Sequence, residues 1–394
     1  MSKVWLLITV LALGLLQFLD TGLYSYVVYN LDVGGIYLGV MNALWSFTYI
    51  LANHLLSELA DLGRNKLLIT ISTASLLTIY VLFMNINDLN SLLIYSLHAL
   101  AVASMNIALS VTILEVYDYF SWSRVNMLSR VLSNVFRGIT FLLVVLTTIN
   151  LNVIIISLII ISVTSILLIP SIGLNIERKL YKMCRDLSLV SRYMKASTAL
   201  LYIHRPKGAL EVFEVVWSSS DRLKPWKILI SVFSYVVFSD IIFVILPLIL
   251  KNFLSLDMLM FSWGIALLVT GLTSIPVISI TSSLEGSTTM KLMVLSILLR
   301  GLALILLLPL VSDVLTLTLY LLTVVFISTL ADSLIYNKFV EVSAGYSTSK
   351  YFIVRELGSI VGSLISGFIF TFIPIAIPII SLIFVGISII FLII

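Results

Sequence analysis

Apolar residues run through this chain in long unbroken blocks that neither alternate with period two nor keep to one helical stripe. Each block is about 20 residues or longer, enough for a helix rising ~1.5 Å per residue to cross a hydrocarbon layer of roughly 30 Å. The blocks predict twelve α-helical spans, at 4–28, 35–57, 67–85, 91–115, 127–149, 152–173, 228–250, 258–280, 291–311, 314–337, 350–373 and 375–394. Blocks of this kind do not fit the short alternating strands of a membrane barrel. The expected fold class is therefore all-α and polytopic. Six spans precede and six follow one polar stretch. The expected organisation is an N-terminal six-helix bundle over 1–174, a connector over 175–227 and a C-terminal six-helix bundle over 228–394. The run after Lys3 outlasts the apolar core of a signal peptide and contains Asp20, so it reads as a retained first span.

Composition agrees with this reading. The chain is 60% hydrophobic and 11% charged, whereas a soluble domain carries roughly a quarter charged residues. The connector holds eleven Lys and Arg against five acids, while the rest of the chain holds twelve against fourteen. Cations flanking spans are retained on the cytoplasmic side, so the connector and both termini are expected there, in a multi-pass protein of the plasma membrane. The short loops agree: Arg64, Lys66, Arg124, Lys291, Lys338 and Lys350 fall on the connector side. Asp32, Asp88, Asp257 and Asp313 fall opposite, with Lys251 the one cation among them. The pI near 9.0 thus reflects orientation, and no nucleic-acid partner is expected. An amphipathic helix over 187–203 would lie on anionic headgroups. One cysteine, Cys184, and three histidines without ligand spacing (His54, His98, His204) predict neither a metal site nor a cofactor.

Between the second and third spans stands Leu59-Ala60-Asp61-Leu62-Gly63-Arg64-Asn65-Lys66. Gly63 permits a tight turn, Asp61 can accept from a helix N-terminus or from Arg64, and Arg64 and Lys66 stay in water. This stretch resembles the signature loop of the major facilitator superfamily, with Ser57 and Leu62 departing from the usual pattern. A fainter copy, Glu285-Gly286 followed by Lys291, occupies the corresponding loop of the second half and suits a six-plus-six repeat. The resemblance implies a permease of two bundles in which the loop cluster Asp61, Gly63, Arg64 and Lys66 acts as a conformational latch. It also implies that the first and seventh spans line a central cavity.

Charges inside spans cost roughly 2.5–3.5 kcal/mol each on insertion scales and ask for a partner or a wet cavity. Asp20 shares a face with Gln17 and Tyr24, and Asp240 holds a similar place in the seventh span. Arg137 lies on one face with Arg130 and Asn134, at a depth close to that of Asp20, so the two are expected to pair or to share a substrate. Asp332 and Arg355, both shallow, are expected to form a gate, mirrored by Glu115 and Arg130. Span two carries a polar stripe, Asn42, Trp45, Ser46, Tyr49 and Asn53, that reads as pore-lining. Its aromatics suit an organic solute better than a bare ion. His98 reads as a packing residue, and Arg300 finds no partner on the sequence and would snorkel toward the surface.

No phosphate-binding loop and no metalloprotease or serine-hydrolase signature occurs, so the chain is not expected to be an enzyme. The expected activity is secondary transport of a small organic solute by alternating access. The proton is the candidate coupling ion; the Asp20-Thr21 step resembles one in drug-exporting members of the superfamily, which implies a slight preference for efflux, with uptake left open. A lipid-carrier flippase or a non-transporting sensor on the same scaffold is the alternative. One chain suffices to build the cavity, so a monomer is expected.

Overall fold

The computed structural model describes residues 3–31, 33–117, 119–171, 224–282, 287–342 and 348–393. Among the described residues, twelve helices are long and apolar enough to cross a membrane. In chain order they are α1 (Val4–Asn30), α2 (Gly35–Asp61), α3 (Asn65–Phe83), α4 (Asp88–Val116), α5 (Tyr119–Thr147) and α6 (Leu151–Leu168). After the connector come α7 (Pro225–Phe243), α8 (Leu256–Ser282), α9 (Ser287–Leu306), α10 (Val314–Val342), α11 (Thr348–Phe372) and α12 (Ile377–Ile393). The seventh span is broken: α7 stops at Phe243 and a short helix, Leu246–Leu250, completes the crossing. Pro247 opens that short helix, and its ring cannot continue the ladder of α7.

Only helices satisfy their own backbone in lipid, and small residues let them meet closely. Each half has its own core, one through α1, α3, α4 and α6, the other through α7, α9, α10 and α12. Between the halves run two seams. In the α2–α11 seam a Cβ added at Gly39 would come 2.5 Å from the Ser363 carbonyl oxygen, and one at Gly367 would come 2.6 Å from that of Gly35. In the α5–α8 seam a Cβ at Gly138 would meet the Leu268 backbone at 2.7 Å. Met260 and Leu267 of α8 are buried in the core of the first half.

Gly63 turns the chain between α2 and α3 with φ 70°. Its N–H donates to the Ala60 carbonyl and that of Arg64 to Leu59, a Schellman closure that needs the left-handed region. Asn65 then ties α3 inward, donating to Thr112 Oγ1 at 2.9 Å and to the Pro170 carbonyl at 2.8 Å. Residues 172–223, with Cys184 and the helix expected over 187–203, lie outside the described residues, as do Glu285 and Gly286.

Candidate functional site

The close contacts between the halves concentrate toward the end of the bundle that holds the 31–34 and 251–255 loops. Tyr24 on α1 donates its hydroxyl to the Val244 carbonyl, at the break in span seven, at 2.7 Å. Asn42 on α2 donates to Ser363 Oγ on α11 at 2.6 Å and lies 3.5 Å from Ser359 Oγ. Toward the connector end the facing residues keep accessible surface. Asn53 and Asn134 are half-buried, and Arg130 and Arg355 are exposed. Side chains of both halves therefore stay accessible on that side, and the charges within the spans lie among them.

On the wall of the first half, Asp20 accepts the Tyr95 hydroxyl at 2.8 Å. Arg137 donates through Nη2 to Thr21 Oγ1, one residue beyond Asp20, and its Nε is buried without a partner. Asp20 attracts Arg137 through space, but the arginine's hydrogen bond goes to the neighbouring threonine. Gln17 accepts from Ser133 Oγ at 3.3 Å, so this pair links α1 to α5 beside Asn134. Behind them, Trp45 Nε1 donates to His98 Nδ1 at 3.0 Å, and His98 Nε2 lies 2.8 Å from the Leu16 carbonyl. An indole nitrogen can only donate. Nδ1 therefore carries no proton, Nε2 donates to Leu16, and His98 is neutral.

On the opposite wall Asp240 faces the Ser359 hydroxyl within the electrostatic reach of Arg300, Arg355 and Asp20. Glu356 lies beside Arg355, in reach of Asp240 and Asp20. The buried Ser46 hydroxyl faces Glu356 but closes no hydrogen bond with it. Tyr49 on α2 looks onto Glu356, Arg355, Asn53 and Asn106, and its ring stacks on Trp45 with centroids 5.2 Å apart and 7° between planes. Asp332 lies near Tyr235 and exerts the strongest attraction on Arg355, ahead of Glu356. Arg130 on α5 reaches electrostatically across to Tyr351 on α11, and Glu115 is half-buried near the same end. Of the loop cluster, Arg64 is exposed, Lys66 half-buried and Gly63 buried; the side chain of Asp61 is not described.

Arg300 corrects a sequence expectation. It does not snorkel: it is buried on α9, its Cζ 4.3 Å from the centre of the Tyr235 ring, with Nε unpartnered. Three further participants, Tyr95, Ser359 and Asn106, are unremarkable in the sequence until α2 and α4 are packed beside α1 and α11, and Glu356, visible as a charge beside Arg355, gains its neighbours only there. No group of three or more His, Cys, Asp or Glu among the described residues is placed to hold a metal ion. An apolar groove among Ile36, Val40, Leu364, Phe368 and Ile380 lies on the lipid side of the α2–α11 seam, away from every charge named above.

No protein-family model matches the sequence, and no curated protein matches it. Solved structures do. A nucleoside transporter, NupG, superposes with a TM-score of 0.63 at 14% identity, over 99% of this chain and 98% of that one. The peptide transporter POT in complex with alafosfalin gives 0.65 at 12% identity, over 98% and 93%. A D-xylose-proton symporter gives 0.66 at 12% identity, over 99% and 96%. Coverage this complete means that the chain shares the twelve-helix fold of these transporters, the major facilitator fold.

Proposed function

We propose that this protein is a secondary transporter that moves a small organic solute by alternating access between two six-helix halves, coupled to protons. The supporting observation is that carboxylates from both halves, Asp20 on one side and Asp240 and Glu356 on the other, lie within electrostatic reach of one another on long apolar helices. Burying such groups is costly unless they bind, pair or exchange protons. A fold alone does not carry an activity, but similar proteins include transporters of nucleosides, peptides and xylose, the last a proton symporter. Asp20, Asp240, Arg137, Asn42 and Tyr49 would contact solute or proton, with Gln17, Tyr24 and Asn134 beside them. Asp332, Arg355, Glu115, Arg130 and the Asp61–Lys66 loop would act in closing the connector end. In the expected orientation that end faces the cytoplasm, so the more accessible side of the seam between the halves would be the cytoplasmic one. Export as the direction rests on the Asp20-Thr21 step alone.

Purified protein in liposomes, loaded with candidate solutes and given an imposed pH gradient, tests the reading. Protein-dependent solute movement that follows the gradient and collapses with a protonophore is the expected result. Binding without movement under any gradient would point to a sensor, and lipid-linked rather than free solutes crossing would point to a flippase.

A further inference from the structure

His98 is buried on α4 and reaches two other helices. Its Nδ1 takes the Trp45 indole N–H from α2 at 3.0 Å, and its Nε2 donates to the Leu16 carbonyl of α1 at 2.8 Å. The imidazole also lies near-parallel to the ring of Tyr95, the donor to Asp20, with 6.1 Å between centres and 17° between planes. An apolar ring would fill the same space. What the imidazole adds is two hydrogen bonds of fixed direction.

The first of those bonds holds the edge of Trp45. That indole stands on the stripe of α2 that meets α11: Asn42 donates to Ser363, and Trp45 and Tyr49 follow about one and two turns further toward the connector end. Both rings keep accessible surface, and they stack with 7° between planes and 5.2 Å between centres. Stacked rings present a flat face on which a further ring can lie. An indole with accessible surface turns about its side-chain bonds unless something holds it. A hydrogen bond to a buried group that is itself tied to α1 does so.

Resting on the transporter reading above, we infer that Trp45 and Tyr49 form the subsite for a flat aromatic or heteroaromatic ring of the solute, and that His98 is the residue that positions it. His98 does not touch the solute; it acts through Trp45.

Two neutral amides of similar size test this, flat benzamide and puckered cyclohexanecarboxamide. The saturated ring is the more apolar, so burial alone favours it, whereas stacking favours the flat one. Dissociation constants are read from the dose dependence of thermal unfolding of the detergent-solubilised protein. Benzamide is expected to bind about two- to tenfold more tightly. His98→Phe keeps a ring, loses both bonds and should abolish that preference. His98→Asn retains an acceptor near the place of Nδ1 and should keep most of it. His98→Gln reaches Leu16 but not Trp45 and should lose it. A purely structural histidine would lower the unfolding temperature of these variants and leave the preference unchanged. Should His98→Phe fail to fold, Trp45→Phe removes the same bond from its other side, and adding His98→Gln to it should cost no further preference. Tighter binding of cyclohexanecarboxamide, no stabilisation by either probe, or equal preferences in the Asn and Gln variants overturns the inference.

No flux enters this measurement, so it fails separately from the transporter reading. Solute movement along a pH gradient without a benzamide preference removes the ring subsite alone. A preference that depends on His98, without gradient-driven movement of any solute, removes transport and leaves the subsite standing.

Discussion

Asp20 and Asp240 occupy matching places in the first helix of each six-helix repeat, yet they live in different surroundings. Asp20 sits in an unbroken helix of 27 residues, held by a tyrosine that is itself wedged among rings: Tyr24, Trp45 and His98 lie 5.8–6.4 Å from Tyr95, centre to centre. The histidine behind it is locked by two hydrogen bonds. Asp240 sits three residues before α7 ends at Phe243. Its neighbours are a serine and two arginines from different helices, one of them exposed. The first repeat holds its carboxylate by a tyrosine hydroxyl, and the second surrounds its carboxylate with charges from two other helices. A change in charge during transport should therefore act through the second repeat.

The largest effect should separate the two acids directly. Asp240→Asn is expected to reduce gradient-driven flux in proteoliposomes to background. Asp20→Asn keeps an acceptor for the Tyr95 hydroxyl and should cost only about tenfold, the scale of weakening one charge-assisted hydrogen bond. Equal losses would mean that the two repeats share the work and that the asymmetry is only structural.

Arg300 sharpens the same contrast. Arg300 is buried against the face of Tyr235 and within reach of Asp240, and removing one cation from beside a buried carboxylate leaves that charge less compensated. Arg300→Met should therefore lower the unfolding temperature and also lower flux, because Asp240 loses one of its two cations. A variant that lost stability and kept flux would make Arg300 a packing residue of the second half.

The twelve spans were legible because lipid demands long apolar blocks, and block length is written directly in the sequence. Deep charges were legible for the converse reason, since each stands out against its block. Contacts across the fold were not. Ser46 and Glu356 are separated by most of the chain, and only the crossing of α2 over α11 brings them together. Arg300 was misread because an all-apolar helix in lipid has no polar face to mark its outside, so sequence could not tell inward from outward. The break in span seven needed Pro247, which is visible, and the place where Tyr24 meets it, which is not.

A smaller effect should come from the tyrosine that holds Asp20. Tyr95→Phe leaves that carboxylate without its donor, at an expected cost of about 1–3 kcal/mol in detergent unfolding. Ser359→Ala, the matching change beside Asp240, should cost less because two arginines remain in reach. A larger loss in Ser359→Ala would reverse which repeat holds its acid tightly.

The smallest expected effect lies outside the membrane, where the repeats again differ at one matching position. Asn87 caps α4, accepting from the Asn90 N–H at 2.8 Å. Asp313 caps α10, accepting from the N–H of Thr316 at 2.8 Å and from its hydroxyl at 2.9 Å, while its own N–H donates to Thr316 Oγ1 at 3.1 Å. Those bonds hold the Asp313 carboxyl below its ordinary range, which for a free aspartate is about 3.9. A depressed value means that the folded state favours the ionised form. The stabilisation is complete above that range and is lost as pH falls through the folded value. The drop in unfolding temperature caused by Asp313→Ala should therefore be full at neutral pH and shrink on acidification below about 3.9. That caused by Asn87→Ala should stay constant, since an amide does not titrate. If both drops stayed constant, the charge on Asp313 would contribute nothing beyond an oxygen to bond.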